Sequence, residues 1–324
     1  MGLLRSKNMA VAALLAMTVP ATAEIEEQTL QMAHDYSPGN VWYETSMRFV
    51  DNVAEATDGK VTFNVADSGS TGSWVEQIEA LTFGTNDVVL QSVGTLDGYG
   101  ALAGIEAYPY LIRDLDHFRT VYQGELGQEL YDDIAEATGF KIAGAGYRGA
   151  RILTTNAPIE SVEDLAGVKL RVPPLKMYTR TWELLGASPT PMPFSEVFTS
   201  LQQGVIDGQE NPYEIVDSFR MDEVQSHVTE TNHVLGAMTF IFDASTFEGY
   251  DPELQEVLQT AAEEAMSWGT EQLIEKENEL RAALQDRGMI IASPNLTAFR
   301  DRVAPIKEDF PDLAEWVERI QNVD

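Results

Sequence analysis

Residues 251–288 carry the pattern that most limits how this chain can fold. Asp251 is placed to cap a helix N-terminus, Pro252 suits the first helical position, and Gly288 supplies a stop. Between them Leu254, Val257, Leu258, Ala261, Ala265, Trp268, Leu273, Leu280 and Leu284 keep a helical rhythm. A helix of about 35 residues is ~50 Å long at 1.5 Å per residue. The chain has 324 residues, enough for two domains of about 150 each. A helix of that length exceeds the width of either, so it is expected to lie across both as a brace. Gly269 leaves a second arrangement open, in which two shorter helices break at that point.

The rest of the pattern is α/β. Residues 29–33 read as a strand, followed by a helix over 40–57 with Trp42, Met47, Phe49, Val50 and Val53 on one broad face. Val61, Phe63 and Val65 alternate as a second strand. Residues 74–83 form a helix on Val75, Ile78 and Leu81, and 88–90 a third, buried strand. Strand–helix–strand–helix–strand in so short a span implies a largely parallel sheet. A second unit of the same kind opens near Ile142, with residues 152–155, a strand over 168–172 and helices over 177–185 and 195–203. The run Ser188-Pro189-Thr190-Pro191-Met192-Pro193 reads as a loop.

Charge and composition narrow the function. There are 21 basic and 52 acidic residues, a net charge of −31, which repels nucleic acid and anionic lipid. With no cysteine there are no disulfides, no thiolate catalysis and no thiolate metal ligands. The four histidines are scattered without ligand spacing, so no metal and no cofactor is expected. Arg5 and Lys7, the short apolar run 9–19 and Ala21-Thr22-Ala23 make residues 1–23 a secretory signal peptide, too short to span a bilayer. Its removal takes away both of those bases and no acid.

Against this negative background, residues 148–180 hold six bases, Arg148, Arg151, Lys169, Arg171, Lys176 and Arg180, and only three acids, Glu160, Glu163 and Asp164. Arginine offers a planar fork that suits a carboxylate. Arg171 sits in a predicted buried strand, and strand ends facing a crevice are where α/β proteins place ligands. Composition alone leaves a second reading equally open, arginines paired with surface acids. His34, at the end of the first strand, either meets a ligand or satisfies local backbone groups. Trp74, Tyr147, Trp182 and Tyr213 are divided between pocket and core.

The segment 151–212 resembles the signature region of the solute-binding proteins of TRAP (tripartite ATP-independent periplasmic) transporters, of the C4-dicarboxylate and sialic-acid type. The resemblance rests on Leu170-Arg171-Val172-Pro173, Gly186-Ala187-Ser188-Pro189-Thr190-Pro191-Met192, Phe194-Ser195-Glu196-Val197, Leu201-Gln202 and Asp207-Gly208-Gln209-Glu210-Asn211-Pro212. It extends through Gly59-Lys60-Val61 and the long helix. It implies that Arg171 and Arg151 clamp a ligand carboxylate, that Asn211 hydrogen-bonds the same end, and that Phe194 packs on the ligand. His34, Ser73, Trp74, Gln91, Tyr147 and Tyr213 complete the implied pocket. Sialic-acid binders carry Asn where this chain has Pro174, Asn at the place of His34 and an acid at the place of Gln91. The distal pocket is therefore rebuilt, and a smaller organic or sugar acid is expected.

The resemblance further implies a periplasmic-binding-protein-like fold, with two α/β lobes around a cleft and the long helix bracing them. Residues 24–148 with about 237–276 form the first lobe, and 149–236 with about 277–324 the second. A monomer in the periplasm would deliver its organic acid to one small and one large membrane subunit, without catalytic residues. Two other classes stay open at this level: a periplasmic enzyme acting on organic acids, and a ligand sensor reporting to a membrane receptor.

Overall fold

The computed structural model describes residues 25–323, so the signal-peptide reading of residues 1–23 lies outside them. Two sheets organise the chain. The first takes strands β1 (Gln28–Ala33), β2 (Val61–Ala66), β3 (Val88–Ser92) and β4 (Phe140–Ala150). The second takes β5 (Ile152–Thr155), β6 (Lys169–Val172), β7 (Ser188–Pro191), β8 (Gly208–Asn211) and β9 (His227–Thr229). The chain then returns to the first sheet as β10 (Leu235–Asp243) and to the second as β11 (Ile290–Ala292). The orders are β2-β1-β3-β10-β4 and β11-β9-β5-β8-β6-β7. In the first sheet β1 is parallel to β2 and β3, while β10 runs antiparallel to β3 and β4. In the second, β6 is parallel to β7 and β8, and β5 is antiparallel to β8 and β9.

The parallel part of the first sheet follows from its sequence. β3 is buried along its whole length, as a strand covered on both faces must be. The helix Val41–Ala56 starts where Asn40 Oδ1 accepts the N–H of Trp42 at 2.8 Å. The helix Trp74–Thr82 starts in a capping box, with the backbone N–H and hydroxyl of Ser73 both donating to Glu76 Oε2. Both helices bury one apolar face: Trp42, Phe49 and Val53 on the first, Ile78 and Leu81 on the second.

The long helix is one piece, Pro252–Asp286, opened by Asp251 Oδ1 accepting from the N–H of Glu253. Gly269 does not break it. That residue is buried against the helix Val41–Ala56, and a Cβ there would collide with Thr45 Oγ1 and stand 3.3 Å from the Trp42 ring. The glycine serves helix–helix contact rather than a turn. The helix packs on β4 and on Val41–Ala56, beside the first sheet, then on the short helix Tyr213–Ser218, and it leads into β11 of the second.

Two expected elements differ in form. Ser188–Pro191 is an edge strand and not a loop: Ser188 N–H donates to Val168 O at 2.7 Å and Met192 N–H to Val172 O at 3.2 Å. Prolines are tolerated there because an outer strand has a side on which no N–H is needed. The expected helix over 195–203 is split into a 3₁₀ turn, Phe194–Glu196, and an α-helix, Val197–Gln202.

Candidate functional site

A cleft opens at the carboxyl ends of strands from both sheets, where open α/β sheets place ligands. Beyond β1 come Asp35 and Tyr36; at the end of β3 stand Gln91 and Ser92; near the end of β4, Arg148. Arg151 follows at the crossing between the sheets, Arg171 lies on β6 and Asn211 ends β8. Trp74, Tyr178 and Phe194 add aromatic walls. The cavity encloses about 560 Å³ of atom-free space, its open mouth included.

Arg171 is 2% exposed. Its Nε and Nη2 both donate to the carbonyl of Met192, at 3.1 and 2.9 Å, and its guanidinium lies 5.5 Å from the centre of the Phe194 ring. It forms no ion pair among the described residues, and burial draws its pKa down to about 9. The fork that could grip a carboxylate side-on is therefore spent on the backbone. What is left without a partner among the described residues is the other edge, Nη1 and the second proton of Nη2.

Arg151 is 3% exposed and tied through Nε and Nη2. Nε donates to Glu210 Oε2 at 2.5 Å, while Nη2 donates to Glu210 Oε1 and to the Glu210 carbonyl, both at 2.8 Å, and to Asn211 Oδ1 at 3.2 Å. Its guanidinium stacks over Tyr178 at 4.9 Å. Behind it, His233 Nε2 lies 3.0 Å from Glu210 Oε2 and His233 Nδ1 2.9 Å from Thr231 Oγ1. Burial raises the Glu210 carboxyl, but Arg151 and His233 outweigh it and bring the group to about 2. Burial lowers the His233 pKa. A neutral imidazole donating from Nε2 and accepting from Thr231 satisfies every member of this buried chain. As in Arg171, Nη1 of Arg151 carries no hydrogen bond among the described residues. Asn211 gives one amide proton to Gln209 Oε1 at 2.7 Å and keeps the other. Two guanidinium edges and an amide N–H on buried residues thus belong to the lining of one cleft, donors of the kind a carboxylate takes.

The structure brings together Arg171, Arg151, Asn211, Trp74, Gln91 and Phe194 from among the expected residues. It takes four away. His34 is fully buried: Nδ1 accepts the N–H of Tyr36 at 3.2 Å and Nε2 meets Ser46 Oγ at 3.1 Å. Burial lowers its pKa to about 4, so it is a neutral side chain serving local groups. Ser73 is occupied in its capping box. Tyr147 and Tyr213 line a different, larger cavity, where Tyr213 Oη donates to Glu230 Oε1 at 2.8 Å. Trp182 belongs to the core, edge-on to His233. Of the basic cluster, Lys169 and Lys176 are exposed and Arg180 pairs with Asp309 and Glu183.

Asp35 and Arg148 were not foreseen as site residues, although Asp35 adjoins His34 and Arg148 belongs to the basic cluster. Hydrogen bonds also join segments that carry the two different sheets. Asn40 Nδ2 donates to Glu214 Oε1, and the Lys176 N–H donates to Asp97 Oδ2 at 3.2 Å.

Residues 32–312 match the family model described as bacterial extracellular solute-binding protein, family 7. A TRAP periplasmic solute-binding protein of Roseobacter denitrificans, solved with bound L-galactonate, superposes with a TM-score of 0.86 at 33% identity, over 91% of this chain and 99% of that one. One from Pseudomonas putida, solved with bound D-glucuronate, gives a TM-score of 0.88 at 25% identity, over 92% and 98%. The sialic acid-binding periplasmic protein of Vibrio cholerae is 30% identical over 295 residues, 91% of this chain and 92% of its own.

Proposed function

Because the chain belongs to the bacterial extracellular solute-binding protein family 7, the solute-binding proteins of TRAP transporters, we propose that it captures a small organic acid in the periplasm and hands it unchanged to a membrane permease. Arg171 carries this reading. It is a buried cation lining the cleft, without a carboxylate partner and with Nη1 uncommitted among the described residues. An acid whose carboxylate reaches Nη1 of Arg151 and of Arg171, with Asn211 beside them, supplies the missing counter-ion. In a dry site such charged hydrogen bonds are stronger than in water. Phe194 and Trp74 then cover the carbon chain of the ligand.

Residues 24–148 with about 237–276 act as one lobe, and 149–236 with about 277–324 as the other; membership of the two sheets supports that division as far as β11, while the helix Ala314–Asn322 packs on the first-lobe segment, Trp316 Nε1 donating to Asp133 Oδ2 at 3.0 Å and His117 Nε2 lying 3.0 Å from Ile320 O. A ligand touching both lobes binds the closed form better than the open one, and this difference drives closure. The closed face is what the small and large membrane subunits recognise. Residues 1–23 and the periplasmic relatives support export.

A thermal-shift screen of organic acids tests the reading. An acid at 100 times its Kd stabilises the native state by about 2.7 kcal/mol, a rise of several degrees in Tm. If no aldonate, uronate or dicarboxylate at millimolar concentration raises the Tm, the reading is wrong.

A further inference from the structure

Two charged side chains on the first-lobe wall take no part in the carboxylate end. Asp35 follows β1 and Arg148 stands near the end of β4, and both line the cleft. The Asp35 carboxylate is held by two amides: Gln77 Nε2 donates to Oδ1 at 2.8 Å and Gln91 Nε2 to Oδ2 at 3.2 Å. Each oxygen retains acceptor capacity. Arg148 is far less satisfied. Nη2 reaches Tyr36 Oη at 3.4 Å, Nε is buried without a partner, and the side chain makes no ion pair among the described residues. A wall that presents a fixed acceptor beside an under-used donor is complementary to hydroxyl groups, which both donate and accept.

We infer that Asp35 and Arg148 form a second subsite, facing Arg151 and Arg171, that reads the hydroxyl-bearing end of the ligand. One hydroxyl donates its proton to Asp35, and the oxygen of a neighbouring hydroxyl accepts from Arg148. The inference rests on the reading that the cleft takes a small organic acid, and it narrows the class to polyhydroxylated monocarboxylates. A diacid of the same length would set its second carboxylate against Asp35, and like charges in a dry cleft repel strongly. Arg148 attracts a hydroxyl oxygen and a carboxylate alike, but only a hydroxyl also supplies the proton that Asp35 accepts. Burial raises the Asp35 carboxyl to about 6, which leaves it an anion at pH 7.5.

Matched pairs of ligands isolate the effect. L-galactonate and galactarate, or D-erythronate and meso-tartrate, differ only in whether the far end is a hydroxymethyl or a carboxylate. Calorimetric titration at pH 7.5 should show wild type binding at least one monoacid at least 100-fold tighter than its diacid. Asp35→Asn keeps the shape and removes the charge; it should cut that ratio at least tenfold, weakening the monoacid and strengthening the diacid. Arg148→Gln should weaken the monoacid at least tenfold. The wild-type ratio stands as a test even if a variant does not fold. A wild-type protein that holds the diacid as tightly as the monoacid overturns the inference. So does an unchanged ratio in a folded Asp35→Asn variant, and either result leaves the organic-acid reading intact. Failure of all four acids to bind, with every other acid in the thermal-shift screen also silent, overturns that reading and this one with it.

Discussion

Replacing Arg171 by methionine should do two opposite things at once. The guanidinium is 2% exposed and without an acidic partner among the described residues, and its pKa falls from 12.5 to about 9. That fall corresponds to about 5 kcal/mol against the charged form in the folded state. The sign matters: a basic group with a lowered folded pKa burdens stability at every pH below that pKa, and relief comes only as pH rises through 9. At pH 7.5 the whole burden is present. Methionine removes it, fills similar volume, and costs the two hydrogen bonds to the Met192 carbonyl, an acceptor worth about 1–3 kcal/mol when left unpaired. Losing the contact with Phe194 costs about 1 kcal/mol more. The ligand-free variant should therefore be more stable than wild type by about 1–3 kcal/mol. For a chain of this size that is a Tm higher by roughly 2–5 °C. Binding should fail in the same protein, with affinity for any acid reduced at least 100-fold. Differential scanning calorimetry with and without the acid reads both effects. A variant that melts below wild type yet keeps its affinity within twofold would refute the reasoning.

Other perturbations follow from the same geometry. Arg171→Lys keeps the charge but cannot bond the Met192 carbonyl and at the same time offer a ligand a second guanidinium edge, so affinity should fall by about 2–4 kcal/mol in a calorimetric titration. Glu214 is buried, with one oxygen accepting from Asn40 and the other unpartnered, and burial raises it to about 8 from 4.5. The folded protein thus holds an extra proton between pH 4.5 and 8, and stability falls as pH rises through that window. Glu214→Gln should be more stable than wild type by up to about 4 kcal/mol at pH 9 and nearly equal to it at pH 5; chemical denaturation at the two pH values shows it, and a difference that does not vary with pH counts against it. Gly269→Ala would gain about 1 kcal/mol of helix propensity. Its methyl, however, meets Thr45, whose hydroxyl is tied to Val41 O at 2.8 Å. Crowding should win, lowering stability by about 1–3 kcal/mol in urea; a stabilised variant would show that the two helices can part.

Much of the architecture was legible because strand and helix periods, caps and stops are local signals. Arg151, Arg171 and Asn211, which line the cleft, were singled out because the resemblance points to those positions, and the basic cluster stood out against an acidic chain. Two of the misplaced residues share one cause. His34 was expected in the cleft and Asp35 is there; Tyr147 was expected and Arg148 is there. Neighbours along an extended chain point to opposite faces. Where a strand is leaving its sheet, or where register shifts as between β4 and β10, sequence does not say which neighbour turns inward. Ser188–Pro191 was read as a loop because its prolines stop a helix, while its pairing depends on β6, a non-local partner. The continuity of the long helix at Gly269 was likewise settled by Thr45, more than 200 residues away in sequence.

The most direct test of the account is a crystal structure with whichever acid raises the melting temperature most. The account predicts density for one molecule in the cleft between the two sheets. Its carboxylate should lie within hydrogen-bonding distance of Nη1 of both Arg151 and Arg171, with Asn211 beside it and Phe194 against its carbon chain. Density in the larger cavity lined by Tyr147, Tyr213 and Arg281, or in the cleft with the carboxylate turned away from Arg171, would contradict it.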